Sequence, residues 1–166
     1  MDYTLVLLIS VFHVLSVGTG APLEGGSVES EQIKQKVEKY ANLLIARIVR
    51  LNLNYQNTSH ETLEPSIKEL EGPSSIVTVL KGYNDLISDS LEGVTQIKTE
   101  LYILTNSTDE WSQQHCKQPT KSSEPELLKK LQKLKRFTHT VGTKALMRVK
   151  EYLSLLRRNL DLLDIC

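Results

Sequence analysis

Four stretches of this 166-residue chain space their apolar residues at steps of three and four. The clearest runs Val94, Ile97, Leu101, Leu104, Thr108, Trp111, a heptad-like 3, 4, 3, 4, 3 seam. Such spacing lines one face of a helix and no face of a strand. An earlier stretch, from about Val28 to Asn52, places Ile33, Val37, Tyr40, Ala41, Leu44, Ile48 and Leu51 on one stripe, with Lys34, Lys36, Glu38 and Lys39 opposite. Another is expected to start with Ser74 or Ser75 as its cap and to continue through Ile76, Val79, Leu80, Tyr83, Leu86, Ile87 and Leu91. Gly82 weakens it by about 1 kcal/mol relative to Ala, and Gly93 reads as its stop. The last is expected to begin at Thr140 as N-cap and to carry Leu146, Val149, Leu153, Leu156, Leu160 and Leu163 up to Cys166. No alternating β-branched run competes, so the expected class is all-α.

The connections are long, short, long. Leu53 to Pro73 is rich in Pro, Gly, Asn and Ser, the residues of loops. The link at Glu92–Val94 has two or three residues and forces the second and third helices antiparallel. The first link of about twenty residues, at about 3.3 Å each, can run back along a whole helix of roughly 37 Å. Cys116 to Thr138 is long as well. Within it, "ELLKKLQKLKRF" can form a short helix on Leu127, Leu128, Leu131 and Leu134 that covers one end of the core. The order predicted is an up-up-down-down four-helix bundle with two long crossovers.

"LVLLISVFHVLSV" followed by "GTG" reads as a secretory signal peptide cut after Gly20, leaving one domain over 21–166. No other stretch of about 18 apolar residues occurs, so no stable membrane insertion is expected. The product is expected to be secreted and extracellular. In that oxidising setting the two cysteines allow one bridge, Cys116–Cys166, two free thiols, or intermolecular pairs. The bridge is the expectation. It needs α-carbons within about 7 Å, natural only if the third and fourth helices are parallel neighbours. Closing a loop of this size stabilises by about 4 kcal/mol.

The formal net charge of zero hides an asymmetry. Ala21 to Cys116 carries 8 Lys+Arg against 14 Asp+Glu, net −6; Lys117 to Cys166 carries 12 against 5, net +7. Solvated helix faces are the main reading of this, with a heparin-type or receptor-steering patch behind it. No nucleic-acid partner is expected.

No constellation for catalysis emerges. His60, His115 and His139 have no metal-ligand spacing, and no nucleophile elbow, phosphate loop or CxxC occurs. Neither an enzyme nor a cofactor is expected. Asp161 and Asp164 read as exposed helix surface, and Trp111 as an anchor of the core. "NTS" at Asn57 and "NST" at Asn106 are N-glycosylation acceptors.

"SIVTVLKGYNDLISDSLEGVTQIKTEL", "FTHTVGTKALMRVKEYLSLLRRNLDLLDIC" and "LIARI" together resemble the leptin family, in particular its members from bony fish. The resemblance touches all four helices, the signal peptide and both cysteines. It implies a monomeric hormone-like cytokine that engages a leptin-receptor-like class I cytokine receptor and signals energy status and appetite. It implies a tight-binding surface on the first and third helices, where Arg47 and Gln96 match the family pattern and Asn106 lies nearby. Lys36, Lys39, Leu43, Ile103 and Ser107 depart there from the mammalian residues. A second surface, at the start of the fourth helix, is matched by Thr140 but not by Val141. The competing readings are another long-chain helical cytokine with a different receptor, or an amphipathic lipid carrier.

Overall fold

The computed structural model describes residues 25–52, 65–117 and 124–166. Among these every regular element is helical: α1 (Gly25–Asn52), α2 (Gly72–Leu86), α3 (Val94–His115), a short α4 (Glu126–Lys133) and α5 (Thr138–Arg158). Two 3-10 turns, Ile67–Leu70 and Leu160–Asp164, precede α2 and follow α5. The expected signal peptide and Asn57 lie outside the described residues.

The apolar stripes form one core. Ile33, Val37, Ala41, Leu44 and Ile48 of α1 meet Ile76, Val79, Leu80 and Tyr83 of α2, Val94, Ile97, Leu101 and Leu104 of α3, and Val141, Ala145, Val149, Leu153 and Leu156 of α5. The seam of α3 turns polar toward its end. Thr105 and Thr108 are buried there because each hydroxyl donates to a carbonyl one turn back, Leu101 O and Leu104 O.

Pairs across the helices fix their directions. Arg47 meets Glu100 and Glu29 meets His115, so α1 and α3 are antiparallel. Asn42 meets Arg157 and Lys34 meets Asp161, so α1 opposes the α5 end of the chain too. Lys81 pairs with Asp109 and Ser74 lies by Ser112, which makes α2 antiparallel to α3. Hence α1 and α2 point one way, α3 and α5 the other: up-up-down-down. Each helix of one pair packs between both helices of the other.

The bridge exists, Cys116–Cys166, with α-carbons 5.3 Å apart. Neither sulfur is free. One part of the expected geometry needs correction: α3 and α5 are diagonal rather than neighbouring. Parallel direction brings their C-termini to one end, and the Leu160–Asp164 turn carries the chain across α1 and α2 to reach Cys116.

Five local expectations are also revised. The helix over α2 starts at Gly72, behind Glu71 with Pro73 in its first turn, rather than at a serine cap. It ends at Leu86, so the link to α3 is Ile87–Gly93. Ser88 stops it: its hydroxyl accepts from Ser90 N and its carbonyl from Leu91 N, folding a turn that still buries Ile87 and Leu91. Gly93, at φ +79°, caps the start of α3 rather than ending α2. Thr140 is inside the first turn of α5, whose N-cap is Phe137. The fourth helix tightens after Arg158 because Asn159 turns its side-chain amide back to Leu155 O; Leu163 is nonetheless fully buried.

Gly82 has a packing reason. α4 lays Leu128 on α2 at this position, and a Cβ there would collide with the Leu128 methyls. Leu131 is buried beside it, whereas Leu134 lies beyond the helix and is exposed. The Ile67–Leu70 turn, within the stretch expected to be loop, buries Leu70 and is tied to α5 by Tyr152 Oη donating to Glu69 O at 2.8 Å. Burial raises the Tyr152 phenol well above its ordinary pKa and pushes Tyr83 up to about 12, so both stay neutral.

Candidate functional site

Arg47 follows Leu44 and precedes Ile48 on α1, so its stem leaves the core at the seam with α3. There it meets Glu100. Nε lies 2.8 and 2.9 Å from the two carboxylate oxygens. One turn back on α3, Gln96 Nε2 donates to the same carboxylate at 3.0 Å. The Glu100 side chain is 7% exposed and that of Arg47 44% exposed. A shielded acid thus holds two polar side chains in place from beneath, while both remain in reach of a partner. The guanidinium spends its Nε edge on this pair, which leaves its outer fork for another acceptor.

The register fixed by Arg47–Glu100 and Glu29–His115 sets Leu43, one turn back on α1, opposite the Ile103 region of α3. Both are exposed apolar residues, as is Tyr102. The face therefore combines a fixed charge with uncovered apolar area, the composition of a binding hot spot. Leu43 and Ile103 thus flank the Arg47 cluster.

Of the residues singled out from sequence, the fold brings together Arg47 and Gln96. Asn106 is half-buried about 15 Å further along α3. Thr140 is exposed at the start of α5, on the helix diagonal to α3. The hub of the cluster, Glu100, was not among them. Its signal was present: it lies between Ile97 and Leu101, on the shoulder of the apolar stripe, where a carboxylate needs a partner from the facing helix.

A second polar cluster closes the far end of α1 and α3. The His115 ring stacks on Trp111 with centroids 4.9 Å apart. Its Nε2 is 2.7 Å from Glu29 Oε2 and its Nδ1 is 2.9 Å from Trp111 O. Both facing atoms are acceptors, which only the doubly protonated ring can satisfy. The Glu29 carboxylate first, then the Trp111 carbonyl, raise the His115 pKa above its ordinary value. Nearby in the chain, Lys34 bonds both Asp161 and Asp164, and Ser30 donates to Asp164. Asp161 and Asp164 are exposed, as expected, and in addition clamp the end of the chain onto α1. The two carboxylates raise the Lys34 pKa. Partial burial pulls the Asp164 carboxyl up, but the Lys34 and Ser30 bonds outweigh it and hold it low.

Among the described residues no three His, Cys, Asp or Glu side chains gather as metal ligands, and no helix is long and apolar enough to cross a membrane. The sequence model of the leptin family matches residues 30–166. The chain belongs to the leptin family. It is 34% identical over 166 residues to the leptin of Takifugu rubripes and 39% identical over 169 residues to that of Tetraodon nigroviridis, with 100% of both chains covered in each case. No solved structure matches. The leptin family is one of hormone-like cytokines, and the helical architecture and single bridge found here accord with that fold.

Proposed function

We propose that this protein is a secreted leptin-family hormone that binds and assembles a class I cytokine receptor to signal energy status and appetite. Residues 1–20 are removed on export, and the mature chain meets its receptor as a monomer. Arg47 and Gln96 make the main contact and Thr140 lies in a second one. Asn106 shares α3 with Gln96, so a sugar attached there would crowd the first contact.

The observation that carries this reading is the Arg47–Glu100–Gln96 cluster. An arginine fixed before binding loses little further freedom when a receptor acceptor meets it, so its bonds count toward affinity. The opposite directions of α1 and α3, and the bridge at the end of α3, hold that face rigid. A rigid bundle keeps two receptor contacts at a fixed separation, which is what pairing two receptor chains requires.

The test is a pull-down of the oxidised chain, without residues 1–20, against a panel of class I receptor ectodomains. Selective capture by a leptin receptor supports the proposal. Capture by a different receptor, or by none, defeats it.

A further inference from the structure

From Leu127 to Lys150 the chain carries eight Lys and Arg and no Asp or Glu. The fold collects five of them at one corner. α4 ends at Lys133, the chain turns through Leu134–Phe137, and α5 begins at Thr138. Every residue from Gln132 to Thr140 is exposed, and so are Lys129 and Lys130. Lys129 and Lys133 stand one turn apart on the same side of α4.

Among the described residues the fold pairs only one of these charges with an acid. Elsewhere several basic side chains are spent on acids: Lys34 on Asp161 and Asp164, Lys81 on Asp109, Lys98 on Asp89, Arg148 on Glu151. At this corner Lys130 alone has an ion pair, a 3.2 Å surface contact with Glu126. Among the described residues Lys129, Lys133, Lys135 and Arg136 enter none. Like charges so close repel, and no ion pair of these four side chains offsets that repulsion.

We infer that the corner formed by Lys129, Lys133, Lys135 and Arg136 docks a sulfated polysaccharide. A linear polyanion presents repeated charges along its length, and an exposed row of cations takes them up while releasing counterions, the same electrostatics that binds nucleic-acid backbones. A lipid surface fits less well. Membrane adsorption by a helix needs a free apolar face, and α4 has spent Leu128 and Leu131 on the core with Leu127 packed against it. Only Leu134 and Phe137 stay uncovered, and Arg136 lies over the Phe137 ring at 4.7 Å. The corner lies off the α1–α3 face, because α4 packs on α2.

Binding to immobilised heparin as a function of salt tests this without any receptor. The wild-type chain should be retained at low salt and released as salt rises. Lys129→Gln, Lys133→Gln, Lys135→Gln and Arg136→Gln combined should lower the slope of log affinity against log salt by about 3, at about 0.7 per charge. The pair Lys133→Gln and Lys135→Gln should lower it by about half as much, which covers the case of a poorly folded quadruple variant. A control substitution in the Ile67–Leu70 turn, Lys68→Gln, should leave the slope unchanged. The inference is overturned if the wild type passes through at low salt, if the corner variants keep the wild-type slope, or if phosphatidylserine vesicles bind the wild type more tightly than heparin does.

Discussion

The guanidinium of Arg47 rests on the shielded carboxylate of Glu100, its Nε 2.8 Å from Oε1, so an exposed residue of α1 takes its aim from a hidden residue of α3. Glu100 should therefore matter for binding although a receptor cannot reach it. Glu100→Ala should cost about 1–2 kcal/mol of stability, a charged hydrogen-bond partner lost at a half-shielded site, read from the urea midpoint. Receptor affinity should fall about tenfold, equivalent to about 1.4 kcal/mol. Wild-type affinity in Glu100→Ala, alongside impaired Arg47→Ala, would mean the arginine needs no such support.

The end of the chain is held twice, by Cys116–Cys166 and by the Lys34 clamp, with Leu163 buried between α1 and α2. Cys116→Ser with Cys166→Ser should lower stability by about 4 kcal/mol for a closed loop with a sequence separation of 50. Leu163→Ala with the bridge intact should cost about 2–5 kcal/mol. Denaturant unfolding of both variants decides. A reduced chain as stable as the oxidised one would show that the clamp and Leu163 suffice.

His115 predicts a pH dependence with a definite sign. Its folded pKa is raised by Glu29 and the Trp111 carbonyl. The clasp thus contributes fully below the unfolded histidine value of about 6.5 and is lost as pH rises through the folded value. His115→Gln should destabilise by up to about 1 kcal/mol at mildly acid pH, and the difference should shrink toward alkaline pH. Melts of both proteins across that range test it. A gap that widens with rising pH would contradict the doubly protonated ring.

Gly142 of α5 lies against the turn after α2, and a Cβ there would come within 3.0 Å of a Leu91 methyl and 3.1 Å of Ser88 N. Backbone cannot swing aside as a side chain can. Gly142→Ala should therefore destabilise by about 1–3 kcal/mol, against the gain of about 1 kcal/mol that alanine brings to a helix. A net increase in melting temperature would mean the turn yields easily.

The architecture was legible because it rests on periodicity and connection length. The stripe Ile33, Val37, Ala41, Leu44, Ile48 is buried, and the two cysteines meet where parallel helices would bring them. What escaped depends on contacts between distant segments. The end of α2 at Leu86 is set by Ser88, whose neighbours Ile87 and Leu91 continue the apolar pattern into a turn. The Leu70 turn looked like loop because its reward, the bond from Tyr152, comes from the far end of the chain. Arg47 and Gln96 were visible through family resemblance, whereas Glu100 becomes meaningful only once α1 lies against α3. The diagonal placement of α3 and α5 follows from which helices pair, which loop lengths alone leave open.

The most direct test of the proposed receptor-binding face is the affinity of a leptin-receptor ectodomain for the wild-type chain and for Arg47→Ala combined with Gln96→Ala, both confirmed folded and oxidised. The wild type should bind in the nanomolar range and the double variant about 30-fold or more weakly, the loss of a hot spot of about 2 kcal/mol. Equal affinities would remove the α1–α3 cluster from the interface.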